Sequence, residues 1–143
     1  MDRPDSDRLC DLLKAQTRLE RVSELTATGD QPFYETRALA GLGQIKQQRG
    51  DLAAALKSYS DSLAISERLA ESDPGNAGRQ RDVSVSFAKF ADAHKQLGDK
   101  EKARDYLRQG QAIMARLTKL SPKNAAWKQD LAWFDGEIAE LTK

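Results

Sequence analysis

The chain repeats itself. Shifted by 48 residues, GDLAAALKSYSDSLAISERLAESDPGNAGRQRDV (50–83) falls on GDKEKARDYLRQGQAIMARLTKLSPKNAAWKQDL (98–131) without a gap. Gly50-Asp51 meets Gly98-Asp99, Ala55 meets Ala103, Ala64-Ile65 meets Ala112-Ile113, and Arg68-Leu69 meets Arg116-Leu117. Pro74, Asn76, Ala77 and Asp82 meet Pro122, Asn124, Ala125 and Asp130. A shared helical composition aligns a few alanines. It does not align Gly-Asp, Pro-x-Asn-Ala and Asp-aliphatic at a single offset. An internal repeat of this length constrains the fold strongly, because a unit that cannot bury its own apolar face must stack on a copy of itself.

Each shared residue has a mechanical reason. Gly50 and Gly98 follow helical stretches and suit the left-handed position that ends a helix. Asp51 and Asp99 come next, where a carboxylate oxygen caps the following helix. Pro74 and Pro122 cannot continue the helices before them, and Asn76 and Asn124 are N-caps for the next.

Between these marks the apolar residues recur at helical spacing. The stripes are Leu52, Ala55, Leu56, Tyr59, Leu63 and, less regularly, Ile65 and Leu69; then Val83, Phe87, Phe90, Ala91 and Leu97; then Ala103, Tyr106, Leu107, Ile113, Leu117 and Leu120; then Trp127, Leu131, Phe134, Ile138 and Leu141. Upstream, Gln31-Pro32 opens a helix running to Arg49 on Leu39, Leu42 and Ile45. A first helix, from about Ser6 to Thr26, uses Leu9, Leu12, Leu13, Leu19, Val22 and Leu25. Alanine, leucine, lysine, arginine, glutamate and glutamine dominate, and all favour helix. The expectation is an all-α chain of about six helices in antiparallel hairpins, since short turns make neighbours antiparallel. It is organised as one domain over 1–143: a degenerate N-terminal helix (1–30), hairpins at 31–71 and 76–120, and a capping helix at 124–143.

The spacing around each Gly-Asp resembles the tetratricopeptide repeat. Leu39-x2-Leu42-Gly43 precedes Gly50-Asp51, and Ala55-x3-Tyr59-x2-Ser62 follows. Phe87-x2-Phe90-Ala91 precedes Gly98-Asp99, and Ala103-x3-Leu107-x2-Gly110 follows. The usual repeat has about 34 residues, and the extra length here amounts to about four helical turns, so lengthened helices are expected. The segment ERLAESDPGNAGRQRDVSVS is similar to the linking segment of long-period bacterial arrays, which sit in larger multidomain proteins.

The resemblance implies a short right-handed solenoid with a concave groove that binds a peptide or extended segment of another protein. By the family pattern the groove-facing positions are Arg37, Ala40, Gly41, Gln44 and Gln48; then Val85, Lys89, Asp92, Lys95 and Gln96; then Trp133, Glu137 and Glu140. Trp133 lies off the apolar stripe of its helix and is either a binding anchor or a packing residue. Some relatives clamp a C-terminal carboxylate with Lys and Asn. Ala40 and Gln44 stand at those places here, so that ligand is not expected.

Other readings compete with a protein-binding adaptor. A small chaperone for a secreted client uses the same hairpins in chains of similar length. A self-assembling piece of a larger scaffold, or a homo-oligomer through the C-terminal helix WKQDLAWFDGEIAELTK, would use Trp127, Trp133 and Phe134. A nucleic-acid-binding regulator would use the basic 100–119 helix, but acids interrupt that run and the net charge is only +1,.

Catalysis, cofactor and metal binding are not expected. The chain has one histidine, His94, at a place where the family motif prefers a packing residue, and one cysteine, Cys10, read as a small hydrophobe,. These cannot make a Cys/His metal set, and no phosphate-cradling glycine loop occurs. With one cysteine there is no intrachain disulfide, and the acidic start MDRPDSDRLCDLL lacks the features of a signal peptide,. No apolar run reaches the ~20 residues of a membrane span. A cytoplasmic location is expected.

Overall fold

The computed structural model describes residues 5–27 and 32–143, and side chains at 10–21, 32 and 34–143. Among them are six helices and no strand: α1 (Asp5–Ala27), α2 (Pro32–Gln48), α3 (Leu52–Ser72), α4 (Ala77–Gln96), α5 (Lys100–Leu120) and α6 (Ala125–Thr142). The all-α expectation holds, with helices where the stripes and caps put them. The side chains of Leu9, Val22, Leu25 and Gln31, expected above to shape the first two helices, lie outside the described ones.

The junctions work as their residues require. Gly50 and Gly98 adopt φ of +82° and +81°, a region open to glycine without a Cβ penalty. Around Gly98, its own N–H reaches Lys95 O at 3.0 Å and the Asp99 N–H reaches His94 O at 2.9 Å. Gly50 and Asp51 bond Gln47 O and Lys46 O in the same pattern, which satisfies carbonyls that a helix end otherwise leaves open. Asp51 and Asp99 then accept from Ala54 N and Lys102 N at 3.2 and 3.1 Å. Asn76 and Asn124 accept from Arg79 N and Trp127 N at 3.2 and 3.1 Å.

The chain divides within α3 into two compact units, Met1–Ile65 and Ser66–Lys143. In the first, α2 is sandwiched by its neighbours. Ala38, Leu42 and Ile45 of α2 are buried together with Ala55 and Tyr59 of α3. Gly43 has no side chain because the Tyr59 ring occupies that space. The tyrosine O–H donates to Gln47 Oε1 at 2.7 Å, which satisfies its polar end,. Ser62 donates to Thr36 O at 3.0 Å. On the other side, Gly41 sits against Leu19 of α1, and Arg49 donates to Gln16 Oε1 at 2.6 Å. Cys10 is exposed on α1 rather than packed.

In the second unit, α4 and α5 form a hairpin around a small aromatic stack. Tyr106 lies 4.9 Å from Phe90 and 5.4 Å from His94 between ring centroids, in near-parallel planes. The unit's main core joins Ala91 to Ala103, Leu107, Met114 and Leu117 of α5 and Phe134 of α6. Gly110 makes the α5–α6 approach possible: a Cβ there would meet the Phe134 ring and the Ser84 carbonyl. Burying a ring such as Phe134 contributes roughly 1.5–3 kcal/mol, which fixes α6 on the hairpin. His94 is the packed histidine the motif called for, at 8% exposure. Its Nδ1 has no hydrogen-bond partner. Burial lowers its pKa below the ordinary histidine value, with Asp99 opposing and Lys102 assisting,.

Candidate functional site

Helix α4 is two-sided. Val83, Phe87, Phe90, Ala91 and His94 are buried, while Val85, Asp92, Lys95 and Gln96 are exposed and Lys89 is half-buried. Val85, Lys89, Asp92 and Gln96 follow one another at three- and four-residue steps, so they lie on one outward stripe. Helix α6 repeats the arrangement. Phe134 is buried, while Trp133 and Glu140 are exposed and Glu137 is half-buried, again at four- and three-residue steps.

Two ion pairs bridge these helices. Arg81 Nε meets Asp130 Oδ2 at 2.6 Å, and Lys95 Nζ meets Glu137 Oε2 at 2.7 Å. Their order along both helices, Arg81 before Lys95 and Asp130 before Glu137, means that α4 and α6 run in the same direction. The Asp130 hydrogen bond holds the Arg81 guanidinium above its ordinary pKa. Glu137 of the α6 stripe thus meets Lys95, the chain neighbour of Gln96 in the α4 stripe, along one α4–α6 face.

The chemistry of that face is apolar with paired charge. Val85 is 39% exposed and Trp133 47% exposed. The indole packs edge-on against the buried Phe134 ring, centroids 5.1 Å apart, so a core residue sets its orientation. Around them, Lys95 is engaged by Glu137, and Glu140 by Lys143 at 2.8 Å. The Lys89 ammonium has a pKa pushed down by burial, with Asp92 three residues on opposing the shift,. Such a surface offers an aromatic platform, a partly desolvated cation and carboxylates already matched to cations.

The sequence-derived positions on α2 divide differently. Arg37, Gln44 and Gln48 are exposed, but Ala40 and Gly41 are half-buried, and Gly41 faces Leu19 of α1. In that helix Gly41 serves packing against α1. Among the described residues, no three His, Cys, Asp or Glu side chains converge in the way a metal site needs,. None of the described helices is long and apolar enough to cross a membrane.

The ion pairs escaped sequence reasoning. Asp130 matched Asp82 in the repeat and looked like a shared junction residue, yet its carboxylate spans to Arg81 of the preceding repeat. The signal was present only as an Arg and an Asp at matching depth in two successive helices.

Residues 86–113, from the middle of α4 through the turn at Gly98 to the middle of α5, match the model of the tetratricopeptide repeat. No curated protein matches the chain. The matched span holds Phe87, Phe90, Ala91, Gly98-Asp99, Ala103 and Leu107, the same residues that close the helices on one another in the structure. Over residues 86–113 the α4–α5 hairpin is thus similar to a tetratricopeptide repeat in both sequence and packing.

Proposed function

We propose that the chain is a protein-interaction module whose α4–α6 face receives an extended segment of a partner protein. The observation that carries this reading is the pair Val85 and Trp133. They occupy matching positions 48 residues apart, and both are exposed apolar side chains on helices clamped by ion pairs. An exposed tryptophan held rigid by a core contact loses little freedom on binding, and tryptophan is enriched among residues that dominate interface energy. The neighbouring charges of Lys95, Glu137 and Glu140 are matched within the face. A partner thus supplies apolar contact and hydrogen bonds rather than bulk charge.

The binding set of this face also takes in Lys89, Asp92, Lys95, Gln96, Glu137 and Glu140. Arg37, Gln44 and Gln48 of α2 form a separate proposed contact set within the Met1–Ile65 unit. The module acts as a cytoplasmic adaptor of the long-period bacterial type and carries no chemistry of its own. A second reading, self-assembly through α6, draws on the same exposed Trp133. Light scattering separates the two: adaptor function leaves the chain monomeric at high concentration, and self-assembly does not.

The test is comparative capture from host lysate. A Lys89→Glu, Trp133→Ala variant, first shown by circular dichroism to be folded, should lose a partner that the unaltered chain retains. Equal capture by both would move the binding surface away from α4 and α6.

A further inference from the structure

A second surface feature lies in the Ser66–Lys143 unit, where α3 ends, α4 begins and α5 ends. It is a groove of about 650 Å³, within the roughly 300–1,000 Å³ range of ligand sites. Ala70 of α3, Val83 of α4 and Leu117 of α5 reach it, and all three are buried apolar residues. Leu120, on its rim, is 75% exposed, although the matching position at the end of α3 is the polar Ser72. A leucine left in water at the edge of an apolar groove gains from being covered.

The charge on the rim says what covers it. Glu67 and Glu71 line the groove one helical turn apart on α3. Like charges at this spacing repel each other. Neither carboxylate has a hydrogen bond or ion pair among the described residues. The groove's arginine, Arg116, donates instead to Gln80 Oε1 at 3.2 Å. Two carboxylate acceptors beside an apolar floor are thus left for a cation from outside.

We propose that this groove docks a partner-protein segment in which a leucine-type side chain lies close to a lysine or arginine. The aliphatic group seats against Ala70, Val83 and Leu117 beneath Leu120, and the cation reaches Glu67 and Glu71. The inference does not rest on the α4–α6 face, since it shares none of its residues. It sets a charge preference that the paired charges of that face do not.

The test is an amide-signal titration of the full, nitrogen-15-labelled chain with two synthetic peptides, acetyl-LKALKG-amide and acetyl-LEALEG-amide. The basic peptide should shift signals of residues 67–83 and 116–120 and bind about tenfold more tightly than the acidic one, as two rim charge contacts allow. A Glu67→Lys, Glu71→Lys variant, altered only at exposed positions, should reverse that preference. Leu120→Ser should weaken the basic peptide without changing the preference. The proposal is overturned if the basic peptide shifts no signals, if its shifts fall elsewhere, or if both peptides bind the groove equally.

Discussion

Lys95 of α4 and Glu137 of α6 form a 2.7 Å ion pair between residues 42 apart in sequence. With the Arg81–Asp130 pair, it bridges α4 and α6. It also removes one cation and one anion from the charge available to a ligand. Both side chains are about a third exposed or less, so the pair is screened by water and contributes modestly.

A double-mutant cycle on Lys95→Ala and Glu137→Ala should return a coupling of about 0.2–1 kcal/mol by urea unfolding. Strict additivity of the two substitutions would mean that the pair does not hold the helices together.

Two glycines should respond with opposite signs. A Cβ at Gly110 meets the Phe134 ring and the Ser84 carbonyl, whereas one at Gly136 meets nothing. Gly110→Ala should destabilise by about 1–3 kcal/mol through overpacking. Gly136→Ala, in an exposed helical position, should stabilise by up to about 1 kcal/mol. Thermal unfolding of both variants checks this, and a stabilising Gly110→Ala would refute the close α5–α6 packing.

His94 makes stability depend on pH. Its folded pKa lies below the ordinary value of 6.5, so on acidification the unfolded chain takes up this proton first. The contribution of neutral, stacked His94 is therefore fully present above about pH 6.5. It falls as the pH drops through that value toward the folded pKa. Urea midpoints at pH 7.5 and 5.5 should show the loss in the unaltered chain and a smaller one in His94→Phe. The same loss in both would assign the pH dependence to other groups.

Asn124 caps α6 through Trp127 N. Asn124→Ala should cost about 1 kcal/mol and Asn124→Gly only a few tenths, the order expected of an N-cap. The reverse order would indicate an interior helical position. Chemical denaturation distinguishes them.

The hairpins were legible because their chemistry is local. Gly98 needs a left-handed φ, Asp99 and Asn124 cap helices that start beside them, and Phe87, Phe90 and Ala91 share one face at helical spacing. Contacts between helices were less legible. Lys95 and Glu137 look like any solvated pair, and only the packing of α6 on α5 through Gly110 and Phe134 brings them together. The same holds for Gly41, which suited an open groove by its motif position but faces Leu19. Trp133 could be placed off the apolar stripe from spacing alone. Its exposure depends on Phe134 taking the buried place, a choice made by the α5 surface.

The most direct measurement is partner capture by the unaltered chain and by Trp133→Ala, with circular dichroism and unfolding run on both. The account predicts that Trp133→Ala keeps its helical signal and cooperative unfolding yet loses the partner. A variant that unfolds would make Trp133 a core residue, and a folded variant that keeps the partner would remove the α4–α6 face as the binding surface.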